Sequence, residues 1–260
     1  TEDSLSEKAS IIGRTGIMLL SCGTGAWRVR SSMNTLAREL GITCTADIGL
    51  LSIEYTCIDG GDCYTESLCL FNTGVNTSKL YRMELFVNKF ATNCKKMSGD
   101  ELHTLLDQIH EIHGFYSPPF LGLAAAVACC AFTFLLGGGP TEMFCAFLGA
   151  GAGNYLRAKM NQHHLTLFLC TAASVALACV VYTISFMALK SGFDVSIHHQ
   201  AGYICSMLFI IPGFPFITSG IDLAKLDMRS GMERLTYAII IIAVATLTAW
   251  KIGRASCRER

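Results

Sequence analysis

The sequence predicts an α-helical polytopic membrane protein with an amino-terminal α+β cytoplasmic domain. Three observations predict it. The 260 residues are 52% hydrophobic and 15% charged, with a mean hydropathy of +0.44, well to the apolar side of a soluble chain. Charge is unevenly spread: residues 1–117 carry 14 acidic and 10 basic side chains, whereas residues 118–251 carry 5 and 7. The second part also contains stretches nearly free of charge and close to the roughly 20 residues a helix needs to cross a bilayer. The expected domains are therefore 1–117, cytoplasmic, and 118–251, in the membrane.

Composition excludes several classes. Twenty basic and twenty acidic residues cancel, which argues against a nucleic-acid-binding protein held by phosphate contacts. Pro and Gly together make 29 of 260 residues, too few for a disordered or collagen-like chain. The thirteen cysteines show no CxxC or other ligand spacing, and read as reduced thiols serving as small hydrophobes.

In the amino-terminal part, Ile12, Leu19, Leu20, Ala26, Val29, Met33, Leu36, Ala37 and Leu40 recur at helical spacing, and Gly41 is the expected cap. Arg14 before Ile17–Cys22 resembles a lipoprotein signal only faintly, since its apolar core is four residues long. Ile53, Tyr55 and Cys57 alternate with Glu54 and Thr56, Asp59-Gly60-Gly61-Asp62 supplies turn chemistry, and 64–71 resumes a strand, which predicts a hairpin. A helix is expected over 78–94. Another starts at Ser98, where Glu101 completes a capping box. On that helix His103, Asp107 and His110 fall at i, i+4, i+7, with Glu111 and His113 nearby. This spacing suits a metal, but without a further strong ligand a solvated polar face is the better reading, and neither a metal nor a cofactor is expected.

Five spans follow, at about 120–136, 142–157, 165–189, 201–221 and 235–250, the second being short and rich in small residues. Pro118-Pro119 marks the entry to the first, and Gly137-Gly138-Gly139-Pro140 its end. Arg157 and Lys159 flank spans two and three, and Lys225, Arg229 and Arg234 flank spans four and five, while the alternate loops hold only Lys190. Positive charge prefers the cytoplasm, which places the amino-terminal domain inside.

Gly149, Gly151 and Gly153 in LGAGAGNYLR imitate a phosphate loop, yet they follow an apolar span rather than a strand. Close helix packing by small residues is the better reading. Pro212-Gly213-Phe214-Pro215 falls inside span four, where two prolines each remove a backbone donor. Broken helices of this kind hold transporter substrates on unpaired amides and carbonyls, but spacing alone allows a merely kinked helix equally well. Glu142, Asn154, Arg157 and Asp222 stand near span ends, where exposure at the interface explains them adequately.

The string Leu208–Pro215, continuing through Asp222 to Ser230-Gly231-Met232-Glu233-Arg234, resembles the signature region of the threonine/serine exporter family, in particular its amino-terminal half. Gly16–Gly41 and Gly74-Val75-Asn76 with Lys79-Leu80 are similar to that family's cytoplasmic domain. Gly138-Gly139-Pro140 with Glu142-Met143, and Gly153–Arg157, are similar to its first two spans. The likeness runs from Ile12 to Trp250. It implies a cytoplasmic domain followed by about five spans in a bacterial inner membrane, and secondary efflux of small hydrophilic metabolites driven by the proton-motive force. Threonine and serine, carried by the named members, are the expected substrates; the alternative is a subunit of a split pair that exports a dicarboxylate such as succinate. The implied partners are the lipid bilayer and a second membrane half, fused or separate; no nucleic acid is implied.

On this reading Pro212, Gly213, Phe214 and Pro215 line the pathway, and Asp222, Glu142 and Asn154 are partners for substrate or carriers of protons. An accessory subunit that gates a partner, with no pathway of its own, is a further alternative. An anchored hydrolase lacks a GxSxG or HExxH arrangement, and no catalytic residue is assigned. The last nine residues, IGRASCRER from Ile252 to Arg260, resemble a translated sequencing-adapter read-through and are set aside in reasoning about the fold.

Overall fold

The structure, a computed structural model, describes residues 4–94, 97–112, 116–163, 165–192 and 200–258. Two compact units emerge, residues 1–114 with 213–237 and residues 115–212 with 238–260.

The first unit opens with α1 (Leu5–Ser21), whose N-cap Ser4 accepts a hydrogen bond from the Glu7 amide. The continuous pattern from Ile12 to Leu40 is in fact two helices, because Gly23 adopts a φ of +82° and ends α1 before α2 (Ala26–Glu39) begins. Gly41, at φ +74°, caps α2 as expected, and the Ile42 amide reaches back to the Ala37 carbonyl at 2.9 Å.

Three antiparallel strands follow, β1 (Thr43–Ile48), β2 (Ser52–Asp59) and β3 (Asp62–Cys69), in spatial order β1-β2-β3. The β2–β3 hairpin is the expected one, with Asp59 paired to Asp62 across a Gly60-Gly61 turn. Strand β1 was not anticipated: its inward residues, Cys44, Ala46 and Ile48, are too small a hydrophobic signal to stand out. Ile53, Tyr55 and Cys57 of β2 point into the core and meet Ile12, Leu19, Met33 and Leu36 of the two helices.

Helix α3 (Thr77–Asn88) is capped by Asn76 and followed by a π-helical turn at Phe90–Cys94, so the segment expected as one helix over 78–94 changes pitch near its end. Helix α4 (Gly99–His110) carries the expected capping box, with Ser98 and Glu101 bonding each other's amides.

The second unit contains α5 (Pro118–Leu135), α6 (Pro140–Gln162), α7 (Leu167–Gly192) and α8 (Gln200–Cys205). Pro118, Pro119 and Pro140 all sit in first turns, where the missing N–H would have no intrahelical acceptor. The segment expected as span four is interrupted. After α8 and a short turn at Leu208–Ile210, the chain breaks at 211–212, and α9 (Gly213–Ala224) clusters with the first unit. The last helix, α10 (Met228–Arg258), follows the turn Lys225–Asp227.

Among the described residues, three helical stretches are long and apolar enough to cross a membrane: Pro118–Leu135, Leu167–Lys190 and Met228–Ala255. The two pieces on either side of the 211–212 break make a fourth if counted as one span. Helix α6 has the length, 23 residues or roughly 35 Å, but its small residues together with Asn154, Arg157 and Lys159 leave it less apolar. The exterior of the second unit is greasy: Phe132, Phe134 and Leu135 of α5 are each more than half exposed, as is Ile184 of α7. Such a surface suits hydrocarbon, in keeping with the length and composition of these helices.

The glycine stripe of α6 lies against α7. A Cβ built on Gly149 would stand 2.7 Å from the Ala178 carbonyl oxygen, and one on Gly153 would stand 2.7 Å from that of Ser174. These glycines serve close approach of two backbones, the packing reading of the sequence.

Candidate functional site

The two prolines of the 212–215 segment occupy a helix start. Gly213 begins α9 and Pro215 lies within its first turn, so the structure removes donors where none would be satisfied inside the helix, and the first-turn amides of Gly213 and Phe214 have no intrahelical acceptor. Gly213 is exposed, and among the described residues nothing lies within 4 Å of a Cβ added to it.

One helical stretch further on, Asp222 is completely buried, which replaces the expectation of an exposed interface residue. Its Oδ2 accepts from the Ala26 amide at 3.1 Å and the Ser230 hydroxyl at 2.9 Å, and lies 3.3 Å from Arg234 Nε. Arg234, also buried, donates to the Gly23 and Thr24 carbonyls at 3.1 and 2.8 Å and to Ser230 Oγ at 3.1 Å. Asp222 Oδ1 has no hydrogen-bond partner among the described residues, and a Cβ on Gly25 would stand 2.8 Å from it. The Gly23–Ala26 connection between α1 and α2 is thus shaped to receive the carboxylate and guanidinium. Around it, Arg30 pairs with Asp227, Arg229 with Asp47, and Glu233 accepts from the Leu50 amide at 2.6 Å. Every one of these contacts lies inside the first unit.

In the sequence Arg234 is one more loop charge; its pairing with Asp222 and Ser230 comes only with the fold. The signal was there in the SGMER string, without any indication of what it meets.

Glu142 and Asn154 belong to the second unit. Both lie on α6, twelve residues apart or roughly 18 Å along its axis, so they do not share one binding point. Glu142 is buried rather than at an exposed end, and its Oε2 accepts from the Gly139 amide at 3.0 Å, capping α6. Asn154 donates to the Leu121 carbonyl at 2.8 Å and ties α6 to α5. Arg157, on α6 rather than in a loop, donates to the Phe209 carbonyl at 3.2 Å, just before the 211–212 break.

The polar face of α4 is not simply solvated. Arg14 of α1 pairs with Asp107 and donates to His103 Nδ1 at 2.7 Å, while Lys79 of α3 approaches His110 Nδ1 at 3.2 Å. His113 lies outside the described residues. Among the described residues, no three His, Cys, Asp or Glu side chains are grouped to hold a metal.

Long apolar helices with exposed apolar surfaces, one of them broken, are the features of a membrane protein. The family model described as "Putative threonine/serine exporter" matches residues 10–253, and the chain belongs to that family. It is similar to the "Probable succinate transporter subunit YjjP" of Escherichia coli (strain K12), 25% identical over 244 residues that cover 90% of this chain and 91% of the relative. The protein of the same description from Klebsiella aerogenes is also 25% identical, covering 90% of each chain. No solved structure matches significantly.

Proposed function

We propose that the chain is one half of a secondary exporter in a bacterial inner membrane, that it works with a second membrane half, and that it carries small hydrophilic carboxylates outward, driven by the proton-motive force. The observation that carries this reading is the break at 211–212. It interrupts an apolar pair of helices and leaves the first-turn amides of α9, at the exposed Gly213, free to meet a carboxylate. Pro212, Gly213, Phe214 and Pro215 line the pathway. A dicarboxylate is the favoured substrate, because relatives matched over about nine-tenths of their length are described as succinate transporter subunits. Threonine or serine is the second reading, supported by the description of the family.

The buried Asp222–Arg234 pair supports the inward orientation inferred from loop charges. It packs the segment between α9 and α10 onto Gly23–Ala26, so that segment and the amino-terminal helices share one side of the membrane. Asp222 and Glu142 are the carboxyls available to carry protons, and Asn154 is a polar partner.

The test is Gly213→Leu in cells that express this chain with its second half. Because space surrounds Gly213, the variant should insert at normal abundance, and efflux of loaded succinate, and of threonine in parallel, should be abolished. Normal export of both by the variant would sink the pathway assignment. Export by this chain without a second half would overturn the two-part arrangement.

A further inference from the structure

Strands β1 and β2 bring two cysteines face to face. In the antiparallel register Cys44 of β1 stands directly opposite Cys57 of β2. Both side chains turn to the core face of the sheet, where Cys44 is 7% exposed and Cys57 0%. Directly opposed residues of such a pair have Cα atoms about 4.5–5.5 Å apart, inside the range of roughly 4.4–6.8 Å that a disulfide spans. Both thiols are free, and a hydrogen bond already joins them. The backbone is therefore placed for a bond between the two sulfurs.

The other cysteines of this unit have different neighbours. Cys63 and Cys69 on β3 are exposed but face Ile58 and Ser52 across the ladder, and the buried Cys22 gives its S–H to the Met18 carbonyl at 3.2 Å. Cys44 and Cys57 also differ from each other. The hydrogen bond from Cys57 lowers Cys44 below the ordinary thiol range, while the same bond and burial push Cys57 up. The more acidic sulfur thus lies on β1, an edge strand of the sheet, with a protonated thiol beside it.

We propose that Cys44 and Cys57 form a reversible redox pair, which a hydroperoxide oxidises to a disulfide that staples β1 to β2. With hydrogen peroxide, the Cys44 thiolate attacks one oxygen and breaks the O–O bond, giving a sulfenic acid. The hydroxide that leaves takes back the proton Cys44 released on ionising, and becomes water. The Cys57 sulfur then attacks the Cys44 sulfur and breaks its S–O bond, and the departing hydroxide takes the Cys57 proton as a second water. The two thiols have given up two electrons and two protons, and the peroxide is reduced to water. A dithiol reductant reverses the step by exchange. Disulfides of reducing compartments are transient and report oxidation, and the inward orientation proposed above puts this pair in one. The loop it closes, residues 44–57, contains Asp47, which pairs with Arg229, and the Leu50 amide, which donates to Glu233. Oxidation therefore fixes the hairpin to which the start of α10 is fastened.

The test uses the full-length Cys63→Ser/Cys69→Ser protein in detergent, in which Cys44 and Cys57 are the remaining cysteines of the sheet. It is exposed to a modest excess of hydrogen peroxide, denatured, alkylated with iodoacetamide, and cleaved after Glu54, which puts the two cysteines on separate peptides. Mass spectrometry should find those peptides linked, lighter by two hydrogens than the two thiol forms, and separated again by dithiothreitol. The unsubstituted chain, treated in parallel, should give the same link. With Cys57→Ser added, Cys44 should stop at the sulfenic acid, which dimedone traps. With Cys44→Ser added instead, Cys57 should stay a thiol under the same exposure. The proposal is overturned if both cysteines remain open to alkylation after exposure in the double-serine protein and the unsubstituted chain alike, or if Cys44 links to a cysteine other than Cys57. Dimedone labelling of Cys57 equal to that of Cys44 overturns the assignment of Cys44 as the attacking sulfur. None of these readouts involves transport, so they stand or fall separately from the exporter reading.

Discussion

Replacing Asp222 by Asn removes the only carboxylate within 4 Å of the buried Arg234 guanidinium among the described residues, while keeping the size of the side chain. Breaking one partner out of a buried pair costs about 3–5 kcal/mol, because the remaining charge stays desolvated. Arg234 would still donate to the Gly23 and Thr24 carbonyls and to Ser230, so the lower end, about 3 kcal/mol, is expected. For a unit of this size that is a fall of roughly 6–12 °C in Tm. Arg234→Met should cost more, since it leaves a buried carboxylate and strips two backbone carbonyls of their donor. The double variant removes both charges and should be more stable than the sum of the singles by at least about 2 kcal/mol. The assay is thermal unfolding of the full chain in detergent for all four members of the cycle, with export measured alongside. Strictly additive losses would refute the coupling. Export that stays lost in the double variant after stability has recovered would show Asp222 acting on protons or substrate as well as on structure.

Three further outcomes follow from local geometry. Leu226 closes α9 with a φ of +64° and is 81% exposed, so Leu226→Gly gives up little burial and relieves a left-handed backbone; thermal unfolding should show a gain of about 0.5–1 kcal/mol. Gly149→Ala places a methyl 2.7 Å from a backbone oxygen that no rotamer can move; a cost of about 1–3 kcal/mol should appear as a lowered melting temperature and reduced monodisperse yield. In the first unit Cys63 and Cys69 are exposed, whereas burial pushes the Cys22 thiol up, and a hydrogen bond with Cys44 together with burial does the same to Cys57. With fewer thiolates and no access, Cys22 and Cys57 should resist iodoacetamide at pH 8 until the protein is denatured, while Cys63 and Cys69 label at once, as peptide mass spectrometry can read.

Features written in adjacent residues were legible in the sequence. The Asp59–Asp62 turn, the Ser98–Glu101 box, the Gly41 cap and the proline entry at 118 each need only a few neighbours, and the structure has all of them. Strand β1 escaped because a strand of small inward residues has little period-two contrast. The α1–α2 break escaped because Gly23 interrupts a helical pattern without disturbing its apolar spacing. The candidate residues fared according to reach. The 212–215 break announces itself through proline, but its role as a helix start depends on where α9 begins. Asp222 and Arg234 depend on Gly23–Ala26, 196 and 211 positions away in the chain. No local pattern encodes such a contact, so a buried pair looked like two ordinary charges near span ends.

The contact between α6 and α7 carries a wider implication. In hydrocarbon there is no solvent-driven attraction between apolar helices, so what holds this pair is the fit of glycine against a neighbouring carbonyl. Tolerance to change along this contact is therefore set by volume and not by polarity. At Gly149 or Gly153 a single extra carbon does more harm than exchanging one apolar side chain for another on the outer faces of α5 or α7, where lipid simply rearranges around the newcomer.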